Sequence, residues 1–294
     1  MKIEDIAISF VPNLTPRAVV HLLETFGSAE RVYSASVEEL VRVAELRESI
    51  ALDIVARAGF AEAERELKVC ERNGIRVVAS TDSSYPNQLR YTGDYAHIIY
   101  VVGEGSLLNA PVMCSVVGCQ SGITPYGEKM ALAILDYIAE VAPETVIVGA
   151  LEGDFNMVVL SAAIGAGLRV VGVSASPLSQ ISSQRYLSLV DDILSHGGAI
   201  ISEQGDNSAK VDQALYPHHR LIAGLCSGIV VVESSEIPPI AKYADSYSRT
   251  LLALPGRATD SLSWGTNRMI ATSMAQMVCT VKDVAEYLDL NRLC

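Results

Sequence analysis

No stretch of this chain is long and apolar enough to cross a bilayer. Its opening residues, MKIEDIAISFVPNLTP, lack the basic start, apolar core and small-residue cleavage site of a secretory leader. Basic residues are scarce: 22 lysines and arginines stand against 34 aspartates and glutamates, a formal net charge of −12. That balance argues against a broad, non-specific nucleic-acid surface, though not against a local basic groove. The cysteines (Cys70, Cys114, Cys119, Cys226, Cys279 and Cys294) show no CxxC spacing, so a disulfide framework or zinc site is not expected and a reducing cytoplasm is. Of these, Cys119 falls in a candidate site loop, where it reads as a small, unreactive thiol. There is no internal repeat and no low-complexity tract. With 294 residues, 50% hydrophobic and 19% charged, the chain is globular and long enough for one large or two smaller domains.

The chain is organised around residues 112–154. VMCSVVG reads as an apolar strand ending at Gly118, CQSGITPYG as a loop, EKMALAILDYIAE as an amphipathic helix, and TVIVG as a second strand ending at Gly149. Sequential parallel strands need such a crossover. Both loops then lie at the carboxyl ends of strands, where open α/β sheets bind ligands. Residues 112–117, 146–148, 169–173 and 229–232 are predicted as adjacent parallel strands of one sheet, with Gly118 and Gly149 at its carboxyl edge.

Residues 4–72 read as helical. Thr15-Pro16 supplies an N-cap and a proline at the first helical position. Val19, Leu22, Leu23 and Phe26 then recur at helical spacing as far as Gly27. Ser36 opens a short helix, and a longer one is predicted from Ser49 to Asn73 with Gly74 as its stop. The phrase VPNLTPRAVVHLLETFGSAERVYSASVEEL is similar to helix-hairpin-helix or sterile-alpha-motif modules. With Pro12-Asn13-Leu14 in place of hairpin glycines, packing is favoured over a phosphate contact. From Gly74 onward strands alternate with helices, among them a helix at 179–196, a last strand in AQMVCT and a final helix at 281–288. The pattern predicts a doubly wound, mainly parallel α/β sheet covered on both faces. It divides the chain into a helical domain at 1–73 and an α/β domain at 74–294.

Gly118, Gly122 and Gly127 punctuate the first loop, Gly149 and Gly153 the second. Glycine lets backbone N–H groups approach an anion, and a helix N-terminus favours negative charge. The spacing is not GxGxxG, however, no Walker-type lysine follows, and tight βα turns need glycines in any case. His218, His219 and Arg220 stand at a predicted helix start beyond Pro217. No third ligand at a metal-binding spacing accompanies the histidines, so an anion cluster is the better reading. A guanidinium grips phosphate through two bonds and a neutral imidazole donates one. Arg220 has a second available role, pairing with Glu203 or Glu233 at strand ends, and the two roles are compatible. No Ser/His/Asp or Cys/His set can be assembled.

Several phrases, in order along the chain, carry a family resemblance. YPHHRLIAGLCSGIVVVES resembles the FPxRNRIIAGLSxxVVVVEA signature of the bacterial DNA-processing protein A (DprA, or Smf) family. LPGRATDSLSWGTNRMI is similar to its PGxxxDxxSxGxNxLI element and GGAIISEQ to its GGxxxSEY step. Residues 73–103 resemble its GIxxxxxxDxxYPxxLxxIxxPPxxLYxxG entry. Departures fall on the basic and glycine positions. The family's GSR loop is Gly118-Cys119-Gln120, its SGxAxGID loop carries Glu152 beside Gly153, and its RNR triplet is His218-His219-Arg220. Its SGSLITA helix start is replaced by Ser234-Ser235-Glu236-Ile237-Pro238-Pro239. The C-terminal winged-helix domain that many members carry has no counterpart before Cys294.

The resemblance implies an extended Rossmann-like fold and a homodimer that binds single-stranded DNA, protects incoming DNA and loads a RecA-type recombinase during natural transformation. It implies no cofactor, no metal, no membrane and no enzymatic activity. Carried over motif by motif, the DNA-binding positions are Gly118, Gln120, Gly149, Gly153, His218, His219, Arg220, Asn267 and Arg268, with Arg220 the sole guanidinium left in its triplet. Position and chemistry add Gly127 and Lys129, with Tyr126 or Tyr216 for base stacking. The apolar helix at 221–226 beyond the anion cluster, with the family's dimerisation through its Rossmann domains, is the ground for expecting a homodimer. Two alternatives stand beside this expectation. One is a nucleotide-binding or nucleotide-hydrolysing protein of the LOG type, whose PGGxGTxxE motif is absent here. The other is a scaffold that has lost DNA binding.

Overall fold

The apolar runs form the centre of one sheet. The structure, a computed structural model, describes residues 2–119, 122–181, 184–207 and 217–290. Its strands are β1 Arg76–Ala79, β2 Ile98–Gly103, β3 Met113–Val117, β4 Val146–Ala150, β5 Arg169–Val173, β6 Ala199–Ser202, β7 Gly228–Val231, β8 Thr250–Ala253 and β9 Gln276–Met277. Their spatial order is β1-β2-β6-β5-β4-β3-β7-β8-β9. β2 runs antiparallel to β1 and β6, and the other pairings are parallel. The predicted neighbours are neighbours: Cys114 lies opposite both Ile147 of β4 and Gly228 of β7, and Ile147 opposite Val170 of β5. β3 is therefore the switch point from which successive strands leave in opposite directions, and crevices form at such points.

Helices introduced in chain order are α1 Ile3–Ala7, α2 Pro16–Phe26, α3 Ala29–Ser34, α4 Val37–Val43, α5 Glu48–Val55, α6 Phe60–Arg72, α7 Asn87–Arg90, α8 Pro125–Val141, α9 Asp154–Gly165, α10 Gln184–Ser195, α11 Pro217–Leu225, α12 Pro239–Ser246, α13 Trp264–Ala271 and α14 Val281–Tyr287. The period of two in a strand sends neighbouring side chains to opposite faces. Val146 and Val148 join a core with Leu221 and Ile222 of α11, Ile240 of α12 and Met269 of α13. Ile147 joins the opposite core with Ile134 of α8, Phe155 of α9, Ile193 of α10 and Val284 of α14. With both faces covered, the strands need apolar residues at nearly every position, which is why they read as continuous runs.

The helix at 221–226, one ground for expecting a homodimer, faces inward. Leu221, Ile222, Ala223, Leu225 and Cys226 are buried inside the chain's own core and present nothing to a second copy.

The leading helices differ from expectation in one joint. The helix predicted from Ser49 to Asn73 is two, α5 and α6, broken where Arg57 and Gly59 take left-handed conformations with φ of 60° and 91°. Gly59 lies against the Ala7 carbonyl, where a Cβ has no room. α2 to α5 enclose a core of their own around Leu22, Val32, Leu40 and Ile54. α1 and α6 instead pack Ile6, Ala63 and Cys70 onto Ile98 and Tyr100 of β2. Glu66 of α6, 1% exposed, accepts the backbone N–H groups of Asp206 at 3.0 Å and Asn207 at 2.8 Å. The Asn207 side-chain amide donates to it at 2.9 Å. The helix predicted at 179–196 begins at Gln184, and the last predicted strand shortens to β9 at the sheet's rim.

Candidate functional site

A cavity of about 250 Å³ opens at the switch point. Val117 and Gly118 line it from the end of β3, Ala150 from β4, Ser234 and Ser235 from beyond β7, and Asn156 and His219 from α9 and α11. All but His219, near the start of α11, lie at or shortly past a strand's carboxyl end, the edge where the sequence placed the ligand loops.

The anion seats expected there are already occupied. Thr124 caps α8, its hydroxyl accepting the Gly127 N–H at 2.9 Å, with Pro125 in the first turn. Onto that helix end comes the carboxylate of Glu233, 4% exposed, from the end of β7. It accepts the Thr124 N–H at 2.9 Å and the Thr124 hydroxyl at 2.6 Å. Gly127 is pressed against the same carboxylate, so its missing side chain makes room for Glu233. A negative group at a helix N-terminus is stabilised by the unsatisfied N–H groups and the helix dipole; here the chain supplies that group itself. The second turn carries acids too. Asp154 stands in the first turn of α9, and burial raises the pKa of the half-buried Glu152 although the Ala175 N–H bonds to it. Asn156 donates to the Glu152 carbonyl at 2.6 Å.

The remaining glycines divide between packing and turning. Gly118 faces the Phe155 ring and Gly149 is buried against Leu160, 2.8 Å from where a Cβ would sit. Gly153, with φ of 88°, makes the turn into α9.

The triplet at the start of α11 is inward-facing. His218 and His219 are 7% and 8% exposed, with ring centroids 4.3 Å apart, and burial pushes their pKa values down to about 4 and about 3. Both are neutral at physiological pH. Arg220 donates to the Glu203 carboxylate and to the Asp94 backbone carbonyl, with the Asp94 carboxylate 3.9 Å away. Tyr247 holds that carboxylate through a 2.6 Å hydrogen bond. Burial works against the guanidinium charge, but Glu203 and Asp94 outweigh it and keep the Arg220 pKa above its usual value. Of the two roles weighed for Arg220, the structure displays the pairing with Glu203; Glu233 is engaged elsewhere.

Asn267 clamps the Pro255-Gly256 turn, accepting the Gly256 N–H at 3.1 Å and donating to the Gly256 carbonyl at 3.0 Å. Lys129 and Arg268 are exposed, and neither forms an ion pair among the described residues. Tyr126, 48% exposed, donates to the Pro255 carbonyl at 3.4 Å. Gln120 and Tyr216 lie outside the described residues. Among the described residues, no group of three His, Cys, Asp or Glu side chains is placed to hold a metal ion, and no helix is long and apolar enough to cross a membrane. Sequence reasoning passed over Trp264, which is 62% exposed at the start of α13. It also offered Arg220 as a partner for Glu233 and missed Thr124, the partner in the structure, which lies 109 residues away.

A family model described as DNA recombination-mediator protein A matches residues 76–289. Protein Smf of Escherichia coli (strain K12) is 26% identical over 231 residues, 78% of this chain and 60% of that protein. The chain thus spans 60% of the length of that relative. The DNA processing protein DprA of Streptococcus pneumoniae is 26% identical over 206 residues, 69% of this chain and 71% of that one. The X-ray structure of DprA from Streptococcus pneumoniae superposes with a TM-score of 0.80 at 20% identity, covering 97% of this chain and 98% of that one. A Helicobacter pylori DNA processing protein A, solved for its single-stranded DNA binding mode, gives a TM-score of 0.60 at 19% identity over 74% of this chain and 95% of that one. At these identities the two solved structures establish the shared fold.

Proposed function

The chain belongs to the DNA recombination-mediator protein A family, and on that premise we propose that it binds single-stranded DNA along the carboxyl edge of its sheet, in DNA processing of the DprA type. The observation that carries this reading is the extent of the family match: residues 76–289 run from β1 to beyond α14 and include the switch-point cavity with all its lining elements. The Helicobacter pylori relative is described as binding single-stranded DNA, which supports the choice of ligand. In this role the protein acts without catalysis, as a homodimer in the cytoplasm, shielding incoming DNA and passing it to a RecA-type recombinase.

Phosphate contacts fall to the exposed Lys129 and Arg268 and to backbone groups near Gly118 and Gly153, with Tyr126 offering a ring to a base, while Gly127 and Gly149 serve Glu233 and Leu160. Asn267 shapes the turn beside them. His218, His219 and Arg220 act from beneath, holding α11 and the loop at Asp94 in position. Residues 1–73 serve as a packing module, anchored through Glu66. The LOG-type alternative is weakened by Glu233, which fills the helix end where a nucleotide phosphate would seat.

Fluorescence anisotropy with a labelled oligo-dT, compared with a duplex of equal length and run beside a nucleotide-hydrolysis assay, tests the assignment. Preferential, salt-sensitive binding of the single strand is expected. No binding at low ionic strength would leave the scaffold, and nucleotide turnover would favour an enzyme. Light scattering at tens of micromolar (roughly, above weak-dimer dissociation constants) is expected to give a dimer mass, and a monomer there would refute the homodimer.

A further inference from the structure

The chain's single tryptophan is its most conspicuous exposed ring at the carboxyl edge. Trp264 opens α13 and is 62% exposed, on a helix whose first residues are firmly tied down. The Gly265 N–H donates to the Ser234 carbonyl at 2.8 Å, and Gly265 itself lies against the Glu236 carbonyl, so the helix start is fixed to the segment that lines the cavity. Arg268 follows four residues later, and on a helix residues four apart share a face. Asn267, beside Arg268 in the same helix, clamps Gly256 and so ties α13 to the Pro255-Gly256 turn. Tyr126 of α8, 48% exposed, reaches the Pro255 carbonyl of the same turn. Two exposed rings thus belong to the two helices that hold this turn, with Arg257, Arg268, Asp260 and Glu236 also exposed.

A large indole left open to water on a rigid helix, beside a guanidinium, offers a flat surface to a nucleobase and a cation to the adjoining phosphate. We propose that Trp264 is a base-stacking platform for single-stranded DNA, with Arg268 holding a neighbouring phosphate and Tyr126 the next ring along the strand. This rests on the DNA-binding role proposed above and sets the path of the strand: across α13 and the Pro255-Gly256 turn, at the rim of the switch-point cavity. Stacking does not depend on net charge, so the platform offers affinity where the usual cations of the edge are missing.

Because the chain has one tryptophan, its own emission reports on the site. Saturating oligo-dT should quench Trp264 fluorescence in step with the anisotropy of the labelled strand. Trp264→Ala should weaken binding about tenfold, within the range of one base–aromatic stack, while Trp264→Phe keeps most of it. An abasic oligomer of the same length should bind wild type and Trp264→Ala equally. Melting curves of both variants exclude misfolding. If anisotropy shows binding while Trp264 emission is unchanged and Trp264→Ala binds as tightly as wild type, the platform is refuted and the DNA-binding role stands. If no strand binds at all, both fall together. If the emission instead shifts with protein concentration in the absence of DNA, Trp264 belongs to a protein contact and the platform is refuted.

Discussion

The carboxylate of Glu233 caps the helix that Thr124 begins, accepting both its N–H and its hydroxyl at 2.9 and 2.6 Å. A strand end and a helix start 109 residues apart in the chain are joined by one side chain in the place an external anion would take.

Glu233→Ala removes the acceptor and leaves a gap beside Gly127. Charge-assisted hydrogen bonds contribute about 1.5–3 kcal/mol, so a melting temperature lower by about 5 °C is expected. Inorganic phosphate or sulfate should restore part of the loss by binding the vacated helix end. A variant that melts with wild type, with and without phosphate, would show that Glu233 contributes nothing there.

Arg220 is expected to matter for stability before binding. Arg220→Ala leaves Glu203, whose side chain is 8% exposed, without its counter-ion, and breaking one side of a buried pair costs about 3 kcal/mol or more. The double variant Glu203→Gln with Arg220→Ala should recover part of this. Urea unfolding of the three chains measures it; an unperturbed single variant would contradict the pairing.

The exposed cations should behave in the opposite way. Lys129→Ala and Arg268→Ala are expected to leave the melting temperature unchanged and to weaken oligo-dT binding. Each should reduce the slope of log affinity against log salt by about 0.7, the share of one phosphate on a single strand. An unchanged slope in both variants would remove these residues from the interface.

Three buried histidines set an acid limit. Burial holds His97, His218 and His219 neutral, with pKa values pushed down to about 4, about 4 and about 3. Below the ordinary imidazole value of about 6.5 the unfolded chain takes up protons that the folded chain refuses. Stability is therefore full above about pH 6.5 and declines as pH falls toward about 4, by up to about 1.4 kcal/mol per pH unit for each histidine. Melting curves from about pH 7.5 to about pH 5 should show this slope, and His219→Gln should flatten it. A flat profile in wild type would mean the rings are hydrated.

The sheet was legible because its pattern is local: a strand covered on both faces must be apolar at nearly every residue, and Val146, Ile147 and Val148 meet that demand in succession. The break between α5 and α6 was not, since a left-handed Arg57 leaves no mark in the sequence and Gly59 is dictated by the distant Ala7 carbonyl. The edge itself was located correctly from Gly118 and Gly149, yet the duties of the residues around it were hidden. Whether Arg220 meets a phosphate or Glu203, and whether Gly127 admits a ligand or Glu233, depends on partners that only folding brings near. Trp264 went unremarked because exposure of an aromatic ring has no signature in a single sequence.

The carboxylate of Glu66 has a consequence for how such a chain can be inherited. It lies on α6, among the leading helices, yet its partners are the amides of Asp206 and Asn207 far along the chain. Ile98 and Tyr100 of β2 likewise owe their cover to α1 and α6. Exchanging the leading helices for a foreign module would strand those amides and bare that flank. The seam visible in the residue pattern is therefore not a line along which recombination can cut freely: whatever replaces the helices must bring its own acid to the same loop.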